Sequence, residues 1–532
     1  MNVKRQIADQ KTSGRRRAGM NRRELLRRGG MAGLAAAGAA FLRDIGSAVP
    51  AAEAAPAEPL RVGVGALPAT LDAHLNNSGV SFATYFQLYE GLTNITADGR
   101  LEPALATAWR YVNDLTLELD LRRGVTFHNG EPFDAGVVKW NLERIINPAT
   151  KAIVKGRIPT VDHVDVVDPY KARIVLKAPA ALLTKALAVT FMLPPKYFEA
   201  QGGTPGFNTH PVGTGPFAYA EGAPGDHIRF AANAKYWRGA PKLQSVIYQN
   251  IPEDGARVAA LQSGQVDMIQ NLPVINVDSV KSAGFSIEEA YMSRMHVINL
   301  MIPIVPQLRD KRIRQALNYA VDKNALISRV MRGHAKLSEG QLVGEDGYGY
   351  ASRVKTFPYD PARAKQLLAA AGAANLELTC FVTQGAYIQD KTTMEAVAGF
   401  LRAAGVRTNL QPIQFSAMSQ RFFANTLTGG NLQGMNYFPA EDADFVFANY
   451  RSDAVARMYD NPLFDQSLNT SEQELDAQRR LALLQNINVL LHDDPPVIFL
   501  FQPPDLFGVS RRVAGFMARH DARIDLLNVT KA

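Results

Sequence analysis

The chain has 532 residues, enough for two or three domains, and its 47% hydrophobic and 20% charged content is ordinary for a globular protein. Its formal net charge of +8 is local: residues 1–57 hold eleven of the 58 Lys and Arg and four of the 50 Asp and Glu, which leaves 47 and 46 and a net of +1 for the rest. That near-neutral body gives no electrostatic argument for nucleic acid, and the single cysteine, Cys380, excludes an intrachain disulfide and a Cys-x-x-Cys metal or redox site.

The N-terminus reads as an export signal over 1–54. A basic region leads to NRRELLRRGG with Arg22–Arg23, then to the 14-residue run GGMAGLAAAGAAFL, and Ala52-Glu53-Ala54 offers a small-x-small cleavage site. The run falls short of the roughly 20 residues a membrane span needs. Arg-Arg before Glu-Leu-Leu resembles a twin-arginine signal, with a Sec signal as the alternative. No cysteine near residue 55 can take a lipid. The mature protein is expected free and soluble in the periplasm.

LRVGVGA, 60–66, predicts a first strand. Its Gly63-x-Gly65 begins a dinucleotide fingerprint, but Pro68 occupies the third glycine position. Residues 82–92 predict a helix with Phe82, Phe86 and Tyr89 on a core face. LTLELDL, 115–121, alternates as a half-buried strand. A helix follows with Asp134 as its cap, a stripe of Val138, Leu142 and Ile145, and Pro148 as its stop. HVDVVDPYKARIVLK predicts a hairpin, so 98–210 reads as a small mixed α/β subdomain. Residues 245–269 give strand, helix and strand, with Gly264 ending the helix: a βαβ unit.

Residues 296–302 predict another strand. Helices follow from Asp310, with Ile313, Leu317 and Ala320 on one face, and from Asp322 to Gly333. Asp360-Pro361 opens a further helix that Gly372 closes. Residues 376–412 form a second βαβ unit, with Cys380 as a small buried hydrophobe in its first strand. Ser471-x-x-Glu474 reads as a capping box opening a long helix to about Leu491. VIFLFQ, after Pro495-Pro496, is a strand.

Catalytic signatures are lacking: the sequence has no His-Glu-x-x-His, Gly-x-Ser-x-Gly or Gly-Lys-Ser/Thr, and none of its nine histidines forms an i, i+4 pair. No catalytic residue, resident metal or cofactor is expected. PVGTGPF, 211–217, is glycine-rich enough to suggest a phosphate loop. Pro216, however, removes an N–H, the next lysine is Lys235, and FAYAEG behind it reads as a strand. The better reading is a tight connection where the chain approaches another segment closely.

Taken together, PALATAWR (103–110), FHNGEPFDAGVVKWNLERI (127–145), PVGTGPF, AALQSGQVDMI (259–269), RIRQALNYAVDKNALI (312–327), YDPARAKQLLAAAG (359–372) and PPVIFLFQPPDLFGVSRRVAGF (495–516) resemble the substrate-binding proteins of ABC importers for peptides, nickel and related solutes. The resemblance implies an α/β fold of two lobes, the two-lobed periplasmic-binding-protein fold, with two crossing strands and an extra mixed α/β subdomain inserted in the first lobe. The first lobe would be 55–295 plus 497–532 and the second 296–496. It further implies a monomer that performs no covalent chemistry, closes on a small solute (a peptide-like compound, an opine or a metal chelate) and delivers it to an ABC permease and its ATPase. An exported hydrolase is the alternative.

Peptide binders of this family carry Trp-x-x-Asp-Tyr-x-Asp-Pro-Asp in the second lobe, its first Asp holding the peptide amine. The matching stretch resembles NYFPAEDADF, 436–445. Aligning Asp442 and Asp444 with Asp-Pro-Asp places Pro439 where the amine-binding Asp belongs, and Glu441 could supply a carboxylate in a shifted register. Asp442 and Asp444 either contact ligand or cap a turn. The remaining candidates are Asn76, Asn77 and Ser78 after the first strand, Thr383, Gln384 and Tyr387 before the second-lobe helix, and Tyr437 and Phe438 as stacking rings.

Overall fold

The computed structural model describes residues 58–76, 78–437 and 441–532; the expected export signal at 1–54 lies outside them. Leu60–Val64, buried on both faces except at Arg61, suits the interior of a parallel sheet. It sits within a seven-stranded sheet whose spatial order is Ser286–Tyr291, Pro504–Val509, Met268–Ile269, Leu60–Val64, Ser245–Asn250, His227–Ala232, Phe217–Ala223. Leu60 lies opposite Val246 and Val62 opposite Met268, both pairings parallel. The βαβ unit expected at 245–269 is present, with Asp254–Gln262 as its helix, but its two strands are not neighbours: Leu60–Val64 lies between them.

The second lobe is built on a six-stranded sheet in the order Lys336–Leu337, Val497–Gln502, Arg294–Leu300, Gly430–Asn436, Glu377–Val382, Arg407–Pro412. Here the expected βαβ unit pairs directly and in parallel, Glu377 opposite Arg407, with the crossover helix Asp390–Ala403. A four-stranded antiparallel sheet, Ala106–Asn113, Thr116–Leu121, Lys171–Leu176 and Val161–Asp168, forms the inserted subdomain. Helix Ala135–Ile146 backs it. Asp134 Oδ1 accepts from Val137 N at 3.0 Å, and Val138, Leu142 and Ile145 are buried as their spacing requires.

The chain leaves the first sheet after Tyr291 and enters the second at Arg294; it returns between Gln502 and Pro504. Val497–Gln502, expected with the first lobe, pairs instead with Arg294–Leu300 and Lys336–Leu337. The reason is its run VIFLFQ, five apolar residues and Gln502, whose six residues are all buried and need cover on both faces. The two passages are tied by Met292 N donating to the Pro503 carbonyl at 2.9 Å. The second-lobe core is continuous with Val258, Leu261 and Leu506 of the first lobe, while Leu119, Val138, Leu142 and Ile174 belong to a separate subdomain core.

The capping box expected at Ser471 does not form. Helix Pro462–Gln473 ends there and a second helix, Ala477–Asp493, begins behind Asp476, whose Oδ1 accepts from Gln478 N and Arg479 N at 3.1 and 2.9 Å. Ser471 lies inside the first of these helices, where its hydroxyl donates to Asp444 Oδ1 at 2.9 Å instead. The PVGTGPF loop is a close approach, as its sequence implies. A Cβ on Gly213 would lie 2.0 Å from the Leu88 carbonyl oxygen and one on Gly215 2.4 Å from that of Gln87. Gly215 N donates to Leu88 O at 2.9 Å, pinning the loop to the end of helix Gly79–Leu88.

Gly213→Ala is therefore expected to destabilise the chain by about 3 kcal/mol or more, since backbone must move to admit the methyl group. Gly156→Ala, where nothing lies within 4 Å of the new Cβ, should stay within about 0.5 kcal/mol. Urea unfolding of both variants checks the contrast.

Candidate functional site

Two polar groups flank the crossing strands. The first centres on Arg294, the opening residue of its strand, half-buried and opposite Asn436 in the ladder. Arg294 Nε donates to Asn436 Oδ1 at 2.6 Å. Among the described residues Nη1 and Nη2 make no hydrogen bond. Nη2 lies 3.7 Å from the Cβ position of Gly79, so the guanidinium reaches from the second lobe to the start of helix Gly79–Leu88 in the first. No side chain caps that helix, and its leading N–H groups carry the positive end of its dipole.

Asn76 and Ser78 stand at the same helix end. Asn76 Oδ1 accepts from Ser78 N at 2.8 Å, Asn76 Nδ2 donates to Ser81 Oγ at 2.8 Å, and the Ser78 and Ser81 hydroxyls are 2.7 Å apart. From the second lobe Tyr387 meets His296 edge-on at 5.5 Å and Phe415 at 6.1 Å. Asp505, 1% exposed, follows the second crossing. Its Oδ1 has no partner among the described residues and its Oδ2 is 3.4 Å from Gln270 Nε2. Burial pushes its carboxyl up to about 7, against the pull of Gln270 and Arg294.

The second group lies around Ser293, one residue before Arg294. Tyr437 is buried and donates its hydroxyl to Asp346 Oδ1 at 2.8 Å, and Gln502 Nε2 donates to the Tyr437 oxygen at 3.0 Å. Glu441 is 1% exposed and holds φ at 51°, a left-handed value that costs a side-chain-bearing residue. Burial raises its carboxyl above the usual range, while His520 and Ser293 lower it. His520 Nδ1 lies 3.5 Å from Glu441 Oε1 and 2.9 Å from Ser293 Oγ, and its Nε2 lies 2.5 Å from the Ala97 carbonyl oxygen. Burial would lower the imidazole, but Glu441 holds it up at about 9. This is not a hydrolytic relay. Serine and carboxylate share one ring nitrogen, whereas a relay needs them on opposite nitrogens.

Asp442 and Asp444 stand apart from both groups. Arg480 donates to both oxygens of Asp442 at 2.8 Å and to Asp444 Oδ2, and Lys185, in helix Leu183–Ala186, donates to Asp442 Oδ2 at 3.2 Å. Asp442 also caps helix Ala443–Phe447. Burial raises the Asp442 carboxyl, but Arg480 and Lys185 outweigh it and hold it below its usual value; burial raises Asp444 to about 6, with Asp442 adding to the rise and Arg480 opposing it.

Thr383 is buried, its hydroxyl donating to Asp390 Oδ2 at 2.9 Å, and Gln384 is exposed beside it. Asn77 and Phe438 lie outside the described residues. The structure thus gathers Asn76, Ser78 and Tyr387 around Arg294, and Tyr437 and Glu441 around His520. Sequence reasoning missed Arg294, His520 and Asp505. The signal for Arg294 was a lone Arg heading the largely apolar run MHVINLMI, in which His296 and Asn299 are the polar members.

A family model of the bacterial extracellular solute-binding proteins, family 5 Middle, matches residues 100–458. The glutathione-binding protein GsiB of Pectobacterium atrosepticum is 27% identical over 479 residues, covering 86% of this chain and 91% of that one. NikA from Brucella suis in complex with Fe(III)-EDTA superposes with a TM-score of 0.80 at 24% identity, over 90% of this chain and 100% of that one. DppA from Helicobacter pylori in complex with peptide STSA gives 0.76 at 21%, over 89% and 98%.

Removing Arg480 would leave two buried carboxylates short of their common partner. Arg480→Met is expected to lose about 3–5 kcal/mol of unfolding free energy at pH 7, read by urea titration. Asp505 predicts the opposite sign. Its folded value lies above its unfolded one, so its cost to stability is nil below pH 4, grows as the pH rises and is complete above about 7. Asp505→Asn should therefore be more stable than the parent at pH 8, by at most about 4 kcal/mol, and match it at pH 3.5.

Proposed function

The chain belongs to the bacterial extracellular solute-binding proteins of family 5, and we propose that it captures a peptide-like solute through a carboxylate group gripped between Arg294 and the start of helix Gly79–Leu88. The observation that carries this reading is the Arg294 guanidinium, facing across the interlobe boundary with both terminal nitrogens unengaged among the described residues. A carboxylate placed there would take a forked pair of hydrogen bonds from Arg294 and meet the uncapped N–H groups of the helix. Because the two donors come from different lobes, such a ligand stabilises the closed arrangement and shifts the hinge equilibrium toward it. Asn76 and Ser78 complete the anionic end, while Tyr387 offers a ring to the rest of the solute. Asp505 is the nearby acid suited to a solute amine.

Glutathione, Fe(III)-EDTA and a free peptide, named for the similar proteins above, are all carboxylate compounds, which supports this choice of class. The proposed limits are 58–292 with 503–532 for the first lobe, 293–502 for the second, and about 98–210 for the inserted subdomain. The protein would leave the cytoplasm by the twin-arginine route, act as a soluble periplasmic monomer, release its solute unchanged and dock in its closed form on an ABC permease driven by its ATPase.

Thermal unfolding against dipeptides, glutathione, opines, metal chelates and sugars is expected to raise Tm with a carboxylate-bearing class and not with neutral sugars. Arg294→Gln should weaken that binding at least about 30-fold, the effect of cutting one side of a buried charged pair. Undiminished affinity in Arg294→Gln, or conversion of the stabilising compound by the pure protein as seen by mass spectrometry, would overturn the proposal.

A further inference from the structure

We propose that Asp346, Glu441 and His520 form a divalent-cation site of two carboxylates and one imidazole, suited to a borderline ion such as Zn²⁺, that joins the two lobes beside the crossing strands. One ligand atom from each of the three lies within 4.8 Å of the others. An ion bound at about 2.0–2.2 Å from each would need side-chain adjustments of about 1 Å. Asp346 and Glu441 come from second-lobe loops, and His520 comes from the C-terminal segment that follows the first-lobe strand Pro504–Val509.

Glu441 is the first independent pointer. Its carboxylate is buried, and among the described residues neither oxygen accepts a hydrogen bond, with His520 Nδ1 in ion-pair range at 3.5 Å. A carboxylate in that position has only the His520 imidazolium at ion-pair range against its desolvation, and a divalent ion would take the place of the Nδ1 proton and bring the larger charge. The imidazole is the second. Its Nε2 lies against the Ala97 carbonyl oxygen, which accepts but cannot donate, so Nε2 carries a proton and Nδ1 faces both Glu441 and the Ser293 hydroxyl, 2.9 Å away, which an ion would displace. A metal-binding histidine commonly has this arrangement, one ring nitrogen held by a backbone carbonyl and the other aimed at the ion. Asp346 has outer partners as well: Tyr437 donates to its Oδ1 at 2.8 Å and Gln502 Nε2 approaches the same atom at 3.4 Å.

The donor set, one nitrogen and two hard oxygens, favours Zn²⁺ over Ca²⁺ or Mg²⁺, which take oxygen alone. Ligands drawn from both lobes make the ion a clasp: binding it favours the closed arrangement whether or not Arg294 holds a solute. The inference goes beyond the carboxylate reading and stands without it, since Arg294 is not among the ligands.

The test is calorimetric titration of the chelator-stripped full chain with ZnCl₂, followed by CoCl₂ as a spectroscopic probe. The expected result is one saturable Zn²⁺ per chain, at least tenfold weaker in Asp346→Asn and His520→Gln and unchanged in Arg294→Gln. A visible Co²⁺ band should be lost in His520→Gln. Asp346 is exposed, so Asp346→Asn decides the matter should His520→Gln fail to fold. Absence of one-to-one binding, equal affinity for CaCl₂, or affinity within twofold of the parent in Asp346→Asn would overturn the site and leave His520 and Glu441 as a plain charged pair.

Discussion

The hydrogen bond from Met292 N to the Pro503 carbonyl is the constraint on which the rest of the molecule depends. It ties together the two places where the chain passes between its sheets, and Gln502 Nε2 reinforces it by donating to the Met292 carbonyl at 2.9 Å. Both passages are short: two residues separate Tyr291 from Arg294, and Pro503 alone separates Gln502 from Pro504. Connections that short allow one lobe to turn about the other but leave little room for sliding. Arg294 and Asp505, the cation and the acid of the first polar group, each lie within two residues of a passage. They sit near the turning axis and would move least as the lobes turn. The proposed solute anchor would therefore stay almost fixed while the lobes turn about it.

A further contact crosses between the lobes at Asp442. Asp442 has two cationic partners, Arg480 from its own lobe and Lys185 from the other, and both its oxygens are engaged. Were the lobes to part, Arg480 would keep its bonds to Asp442 and Asp444, and only the Lys185 bond would be lost; because Lys185 desolvates to make it, the gain on closing would be small. A small gain is what a receptor needs. Were closure without solute strongly favourable, the solute would add no signal; were it strongly unfavourable, most of the binding energy would go into closing the lobes.

Elements defined by neighbours in the chain were legible in the sequence. Asp134 capping helix Ala135–Ile146, the stripe Val138, Leu142 and Ile145, and the second-lobe βαβ unit all follow from spacings of a few residues. The glycines of PVGTGPF were legible too, because Pro216 spoils a phosphate loop and leaves close approach as the remaining use of two glycines. What escaped depended on partners far along the chain. Ser471 reads as a cap until Asp476 is seen to compete for the role and Asp444 to take the hydroxyl. Leu60–Val64 separates two strands nearly two hundred residues later, which no local pattern encodes. The site divided in the same way. Asn76, Ser78 and Tyr387 were accessible as loop positions beyond strand ends, but His520 meets Ser293 across 227 residues, and Arg294 has meaning only once Gly79 stands opposite it.

Glu441 concentrates two costs in one residue. A non-glycine side chain at φ 51° costs on the order of 1 kcal/mol, and a carboxylate buried without a hydrogen-bond donor costs more. Neither serves the fold: a glycine would relieve the first and any small neutral residue the second, and the loop would still reach Ala443 through the backbone bond from Ala443 N to Tyr348 O. The neighbouring Asp442 shows the contrast, since its equally buried carboxylate accepts from Arg480 and Lys185 and caps a helix. Strain and a buried carboxylate placed together, opposed across 3.5 Å by the imidazolium of the other lobe, are the features that the proposed cation site would use.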